Sequence, residues 1–405
     1  MRYFSLAVGL LWIGVFSEAQ DILKGPQGGG RPLLLPGDLA ILESGEPRKD
    51  LDCVVTPEKP RLGFDLAFHT GYSVTMPLKE IEGPGDMLTI LFRVTPKSGG
   101  EPVYFSQQIR VPEIREPRGD ASLGGAFDLG EGSYHVDWLM HDYTGRFCAQ
   151  YWDVDAALSQ KDRQVSVAVP PRTVRRAEDE QFQPEPPVER SVDTLLSVKI
   201  LMNFAPEQRE SVSVDPVDKA ALVSILRNLA RNPKVGRFSL VAFNIQEQRV
   251  LYRQDASDHI DFPEMGKALK TLNLGTINLH LLEKKNGDTE FLSSLIKAET
   301  MDSAKPDGLI FIGPKTHLDA SVPQDDLKQV GDLDYPVFYM NYTLDPMGTP
   351  WKDAISRAVK FFKGREYTIS GPRDLWNAVG EVVSRIAKSK QMKSPGTVPT
   401  GGGSR

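Results

Sequence analysis

Short runs in which apolar and polar residues alternate fill the first half of the chain. LGFDLAF, YSVTMPL, MLTILFRV, VYFSQQIRV, SYHVDWLMH and RFCAQYWDV recur between about Leu33 and Val169. Turn signals separate them at Gly83-Pro84-Gly85, Ser98-Gly99-Gly100, Gly130–Gly132 and Thr144-Gly145. Period-two alternation sends successive side chains to opposite faces of a sheet, and short strands at this spacing predict an all-β sandwich over residues 33–169. In SYHVDWLMH the rule puts Tyr134, Val136, Trp138 and Met140 on the core face. His135, Asp137 and His141 then share the opposite face, which is expected to be solvated.

The pattern changes beyond residue 195. Strand candidates SVKILMNF, RFSLVAFN, RVLYR, TINLHLL, GLIFIG and PVFYMNY alternate with helical patterns over Pro216–Arg231, Phe262–Leu272, Thr289–Met301, Pro350–Lys363 and Pro372–Lys388. Ala220, Ala221, Ile225 and Leu229 form an apolar stripe on the first helix; Val379, Val382, Val383 and Ile386 do so on the last. Such alternation predicts an α/β, Rossmann-like domain over 195–390, its sheet covered on both faces. Between the halves, PPRTVRRAEDEQFQPEPPVER is rich in proline and charge and poor in aliphatics, so 170–194 is expected to be an extended linker. Residues 20–32 and the tail 391–405 are expected to be disordered.

The N-terminus adds a location. Arg2 precedes the apolar run Phe4–Phe16, and Ser17-x-Ala19 follows it. This is the layout of a secretory signal peptide over 1–19, cleaved after Ala19. The run is shorter than the roughly 20 residues of a membrane span, so the mature protein is expected to be secreted or periplasmic, with no transmembrane segment. Export gives the only two cysteines, Cys53 and Cys148, an oxidising compartment, and they are expected to pair. A formal net charge of −6 argues against a nucleic-acid partner.

The order of elements in the second half, and the phrase VGRFSLVAFN above all, resembles a von Willebrand factor type A (VWA) domain. The first half resembles an immunoglobulin-like sandwich. The VWA resemblance implies a metal-ion-dependent adhesion site, built from Asp-x-Ser-x-Ser after the first strand, a loop Thr and an Asp after the fourth strand. Mg2+ there needs hard oxygen ligands with a carboxylate among them. In this chain those positions fall on Asn203, Ala205, Glu207, Thr289 and Gly313. Thr276 competes with Thr289 but reads as the start of a strand. Asn203 has no charge, and neither Ala205 nor Gly313 has a ligand atom, so no metal and no cofactor are expected. Glu207 with Asp288 is the remaining candidate for a weak cation site.

Other constellations are weaker. His135 and His141 are six residues apart, about 20 Å along a strand, too far to share an ion. His259, His280 and His317 lack metal spacing, and no Gly-x-Ser-x-Gly, His-Glu-x-x-His or phosphate-binding loop occurs. In AISRAVKFFKGREY, the cations Arg357, Lys360, Lys363 and Arg365 lie close to Phe361 and Phe362, as on the polar side of an amphipathic helix whose negative end they complement, or on an anion-binding or partner-docking face. Trp351 and Trp376 suit a helix–sheet core. The expected function is a non-catalytic protein-interaction or adhesion module of the bacterial envelope, with an unidentified protein partner. The alternatives are an envelope hydrolase with an unrecognised carboxylate site and a small-ligand sensing domain.

Overall fold

The computed structural model describes residues 20–23, 34–81, 87–112, 117–177, 182–190, 195–206, 214, 216–272, 286–302, 305–316, 318, 320–343 and 352–393. The expected signal peptide therefore lies outside the described residues. Two compact units divide the chain: the first draws on Met1–Arg61, Ala67–Ser159 and Val167–Asp179, the second on Leu62–Leu66, Gln160–Ser166 and Glu180–Arg405.

The first unit contains β1 (Asp21–Leu23), helix α1 (Pro36–Ser44), β2 (Arg48–Lys49), β3 (Val54–Pro57), β4 (Arg61–Leu62), β5 (Phe68–Pro77), β6 (Met87–Pro96), β7 (Val103–Arg110), β8 (Asp120–Leu129), β9 (Gly132–His141), β10 (Phe147–Ala156) and β11 (Val174–Arg176). They form a six-stranded sheet, β1-β7-β6-β9-β10-β2, and a second sheet, β11-β8-β5-β3, with β4 beside β5. Aromatic side chains join the two. Tyr72 of β5 meets Phe92 of β6 and Trp138 of β9 edge-on, at 5.5 and 5.4 Å between ring centroids, and Phe127 of β8 lies 5.6 Å from Phe92. Tyr134, Val136, Trp138 and Met140 are fully buried, as their alternation predicts.

Cys53, which leads into β3, is bonded to Cys148 of β10, with 6.3 Å between Cα atoms. The bridge thus links one sheet to the approach to the other.

Three features of this unit depart from the sequence reading. It is not all-β: α1 lays Ile41 and Leu42 over Leu91, Leu139 and Ala149 on the outer face of the six-stranded sheet. That cover changes the face expected to be solvated. Asp137 is buried and accepts a 2.7 Å hydrogen bond from Arg93 Nε, while His135 stays half exposed. Residues 20–23, expected to be disordered, are held in place. β1 pairs antiparallel with β7, the Gln20 side chain donates to Tyr72 OH at 3.2 Å, and it accepts from Ala126 N at 3.2 Å.

The second unit contains β12 (Leu196–Asn203), α2 (Pro216–Ala230), β13 (Val235–Asn244), β14 (Arg249–Ser257), α3 (Phe262–Leu269), α4 (Gly287–Thr300), β15 (Gly308–Pro314), α5 (Gln324–Val330), β16 (Val337–Tyr342), α6 (Ala354–Phe361), β17 (Arg365–Ile369) and α7 (Pro372–Lys393). The strand order is β14-β13-β12-β15-β16-β17. All pairings are parallel except β13 with the edge strand β14. Residues of β12, β15 and β16 are buried almost throughout, as strands covered by helices on both faces require. Ile200, Ile310 and Met340 pack with Ile225 of α2, Met265 of α3 and Val382 of α7. On the other face, Leu201, Phe311 and Tyr339 pack with Ile296 of α4, Leu327 of α5 and Ile355 of α6.

β17 and α5 were not anticipated from the sequence. The strand expected at TINLHLL, with Thr276, falls outside the described residues, as do Pro350 and Trp351 at the expected start of α6. The stretch expected to be an extended linker makes contacts on both sides of residues 178–181. Its first part supplies β11, which pairs with β8. In its second part Glu185 accepts from Arg231 Nε at 2.8 Å and also pairs with Arg227, both on α2. Helix α7 runs to Lys393, into the region expected to be a disordered tail.

Candidate functional site

In an open, mostly parallel sheet, ligands gather beyond the carboxyl ends of the strands, where the strand order reverses. Here the chain moves from β12 outward to β13 and β14, then returns to β15 on the other side, so the reversal lies between β12 and β15. Asn203 ends β12 at this point, and it is wholly buried.

Its amide joins two loops. Nδ2 donates to Thr316 Oγ1 at 3.1 Å, beyond β15, and Oδ1 accepts from Ile245 N at 3.2 Å, beyond β13. Asn244, the last residue of β13, returns the tie: Nδ2 donates to Phe204 O at 2.7 Å and Oδ1 accepts from Glu247 N at 2.8 Å. In β16, Asn341 Nδ2 donates to Glu366 Oε1 at 2.9 Å, and Lys315 Nζ lies 3.0 Å from the same oxygen. An asparagine therefore stands at or near the carboxyl end of three strands of one sheet. The repeated endings LMN, AFN and YMN were the visible signal, and the sequence reading used only the first.

Asp353 completes the arrangement. It caps α6, accepting from Ser356 N at 2.7 Å on Oδ1, while Thr316 N donates to Oδ2 at 3.2 Å. The hydroxyl of Tyr339 lies 3.2 Å from Oδ2 and 3.0 Å from Pro314 O. Burial raises the Asp353 pKa above the ordinary carboxylate value, against the opposing effect of these hydrogen bonds. Burial first, and then the Asp353 charge, hold the Tyr339 hydroxyl well above its ordinary value. Neither Thr316 nor Asp353 was singled out from sequence. They follow Asn203 by more than a hundred residues, and no local pattern marks the pairing.

The five positions that the VWA resemblance assigns are placed as follows. Asn203 and Gly313 meet: a Cβ built on Gly313 would stand 2.9 Å from Asn203 Cβ. Ala205 is buried in the apolar cluster on the α4 side of the sheet. Thr289, in the first turn of α4, is buried with its Oγ1 3.3 Å from Asp288 Oδ1 and 3.4 Å from Ala320 O. Glu207 lies outside the described residues. The donor set at the described positions does not suit Mg2+. Asn203 engages both ends of its amide internally, Ala205 and Gly313 supply nothing, and the buried Asp353 carboxylate already accepts backbone N–H groups.

The histidines of β9 are not brought to a common point. His135 Nδ1 contacts Asp153 Oδ1 at 2.7 Å, whereas His141 Nε2 lies 3.8 Å from Asp38 Oδ1 on α1. His259 pairs with the exposed Asp258 at 2.6 Å. His280 and His317 lie outside the described residues. Trp376 is 36% exposed rather than packed away in the core. No described helix is long and apolar enough to cross a membrane.

No family model and no curated protein matches the chain. Among solved structures, proximal thread matrix protein 1 from the mussel byssus is similar at 11% identity, over 48% of this chain and 46% of that one, with a TM-score of 0.28. A second structure of that protein, described as having a zinc-occupied MIDAS motif, gives 13% identity, 49% and 47% coverage, and 0.29. The PilB minor pilin from Streptococcus sanguinis gives 8% identity over 76% of this chain and 89% of that one, at 0.29. The match spans less than half of the mussel protein's length. All three TM-scores are below the level that establishes a shared fold.

Proposed function

We propose that this chain is an exported, non-catalytic protein-interaction module, an immunoglobulin-like sandwich followed by a VWA-like domain that works without a metal ion. The observation that carries the reading is the use of the carboxyl edge. Where a ligand site belongs, Asn203, Asn244, Thr316 and Asp353 direct their hydrogen bonds at the chain's own loops. Polar groups engaged in this way hold a scaffold rigid, their hydrogen-bonding capacity turned inward. The strand order, with a single antiparallel edge strand next to β13, agrees with a VWA-like sheet. The Cys53–Cys148 bridge agrees with export, since disulfides persist in oxidising compartments.

Calorimetric titration of the full chain with Mg2+ and with Mn2+ tests the metal-free part of the reading. The expected result is no saturable heat; binding at micromolar concentration would overturn it.

A further inference from the structure

We propose that the amino edge of the second unit's sheet is a docking groove for an acidic segment of a partner protein, anchored by one large apolar side chain. The groove lies where β16 and β17 begin, beside the end of α6 and the last turns of α7. In parallel strands the amino ends are opposite the carboxyl ends, so the groove is separate from the Asn203 edge.

Its cavity measures about 280 Å3. Sites for drug-sized ligands run from about 300 to 1,000 Å3, so this one suits a single bulky side chain better than a cofactor. Val337, Phe338, Phe362 and Met392 supply the apolar lining. Val337 and Phe338 are buried, whereas Met392, in the last turn of α7, is 82% exposed.

Four cations line the same groove: Lys363, Arg365, Arg385 and Lys388. Arg385, itself half-buried, is paired with Glu381 at 2.5 Å, and the fully exposed Lys363 lies 3.9 Å from Asp332. Arg365 shares the Glu381 carboxylate with Arg385, so one acid faces two of these cations, and Arg365 and Lys388 are both exposed. Cations after a helix can simply complement its negative end, but Arg365 opens strand β17 and has no such role. A basic cluster around an apolar cavity, in a chain of net charge −6, selects by charge complementarity for carboxylates flanking an apolar residue. The cluster is what the phrase KFFKGREY becomes once α7 is folded beside it.

This inference rests on the interaction-module reading but not on its metal-free part, so metal titration and peptide binding fail independently. The test is fluorescence anisotropy of the full chain with a dye-labelled Glu-Glu-Phe-Glu-Glu peptide. Saturable binding is expected, weakened by added salt and at least tenfold weaker for Gln-Gln-Phe-Gln-Gln and for Glu-Glu-Gly-Glu-Glu. The surface double variant Arg365→Glu, Lys388→Glu and the single variant Met392→Glu should each bind at least tenfold more weakly with an unchanged circular dichroism spectrum. Absence of binding, equal binding of either control peptide, or variants within twofold of the parent would overturn the proposal. Binding of inorganic phosphate or of phosphatidylserine vesicles in place of the peptide would overturn it as well.

Discussion

Asn203 and Gly313 stand so close across β12 and β15 that a Cβ on Gly313 would lie 2.9 Å from the Cβ of Asn203. The atom it would meet is fixed to the backbone of a buried strand, so it cannot swing aside. Gly313→Ala is expected to lower stability by about 2 kcal/mol, within the usual cost of overpacking. Gly313→Asp, which introduces the acid that the VWA resemblance expects at this position, should cost more and is expected to leave Mg2+ unbound. Urea unfolding of the two variants and calorimetry of the second check both statements.

Asp353 gives a pH signature. Its folded pKa is raised above the ordinary 3.8 by burial. The folded chain therefore holds this proton more tightly than the unfolded chain does, and the stability linked to it is fully present below about 3.8 and lost as pH rises through the folded value. Asp353→Asn removes that titration. The stability difference between parent and variant should therefore shift toward the variant as pH rises above 3.8, as read by urea midpoints across an acid series. A difference independent of pH would contradict the raised value.

The Cys53–Cys148 bridge closes a separation of 95 residues. The chain-entropy model assigns a loop of this length about 4–5 kcal/mol. Cys53→Ser with Cys148→Ser is expected to lose most of that stability, seen as a fall in the urea midpoint. Peptide mass mapping without reductant should recover the two cysteines in one linked fragment.

Glu185 is 10% exposed and sits between Arg227 and Arg231. Arg227 also donates to Gln183 O at 2.9 Å and lies 4.8 Å over the ring of Phe262. Removing one partner from a buried ionic cluster strands the other charges. Glu185→Ala is expected to cost about 3 kcal/mol and to expose residues 182–190 to limited proteolysis. Unchanged cleavage there would show that the segment is held by other contacts.

Much of the second unit could be read in the sequence because its strands are buried on both faces and appear as continuous apolar runs, as in GLIFIG. β17 could not: REYTI is an edge strand with one fully buried residue, Ile369, and has neither an apolar run nor a clean alternation. Helix α1 has nine residues and buries Asp38, Ile41 and Leu42, too little for a helical period to show. The contacts made by the expected linker were hidden for a different reason. Its composition is polar, but Glu185 finds its cations on a helix more than forty residues later, a long-range pairing that composition does not encode. At the candidate site, Asn203 could be identified as the end of a strand, but its partner Thr316 could not.

The three strand-end asparagines have one further consequence. An amide takes up no proton near neutrality, so on the metal-free reading proposed above chelators and depletion of divalent ions are expected to leave this edge unchanged. On the interaction-module reading proposed above, an edge tied in this way is constitutive, and control over an encounter passes to how much of the chain is made and where it is sent.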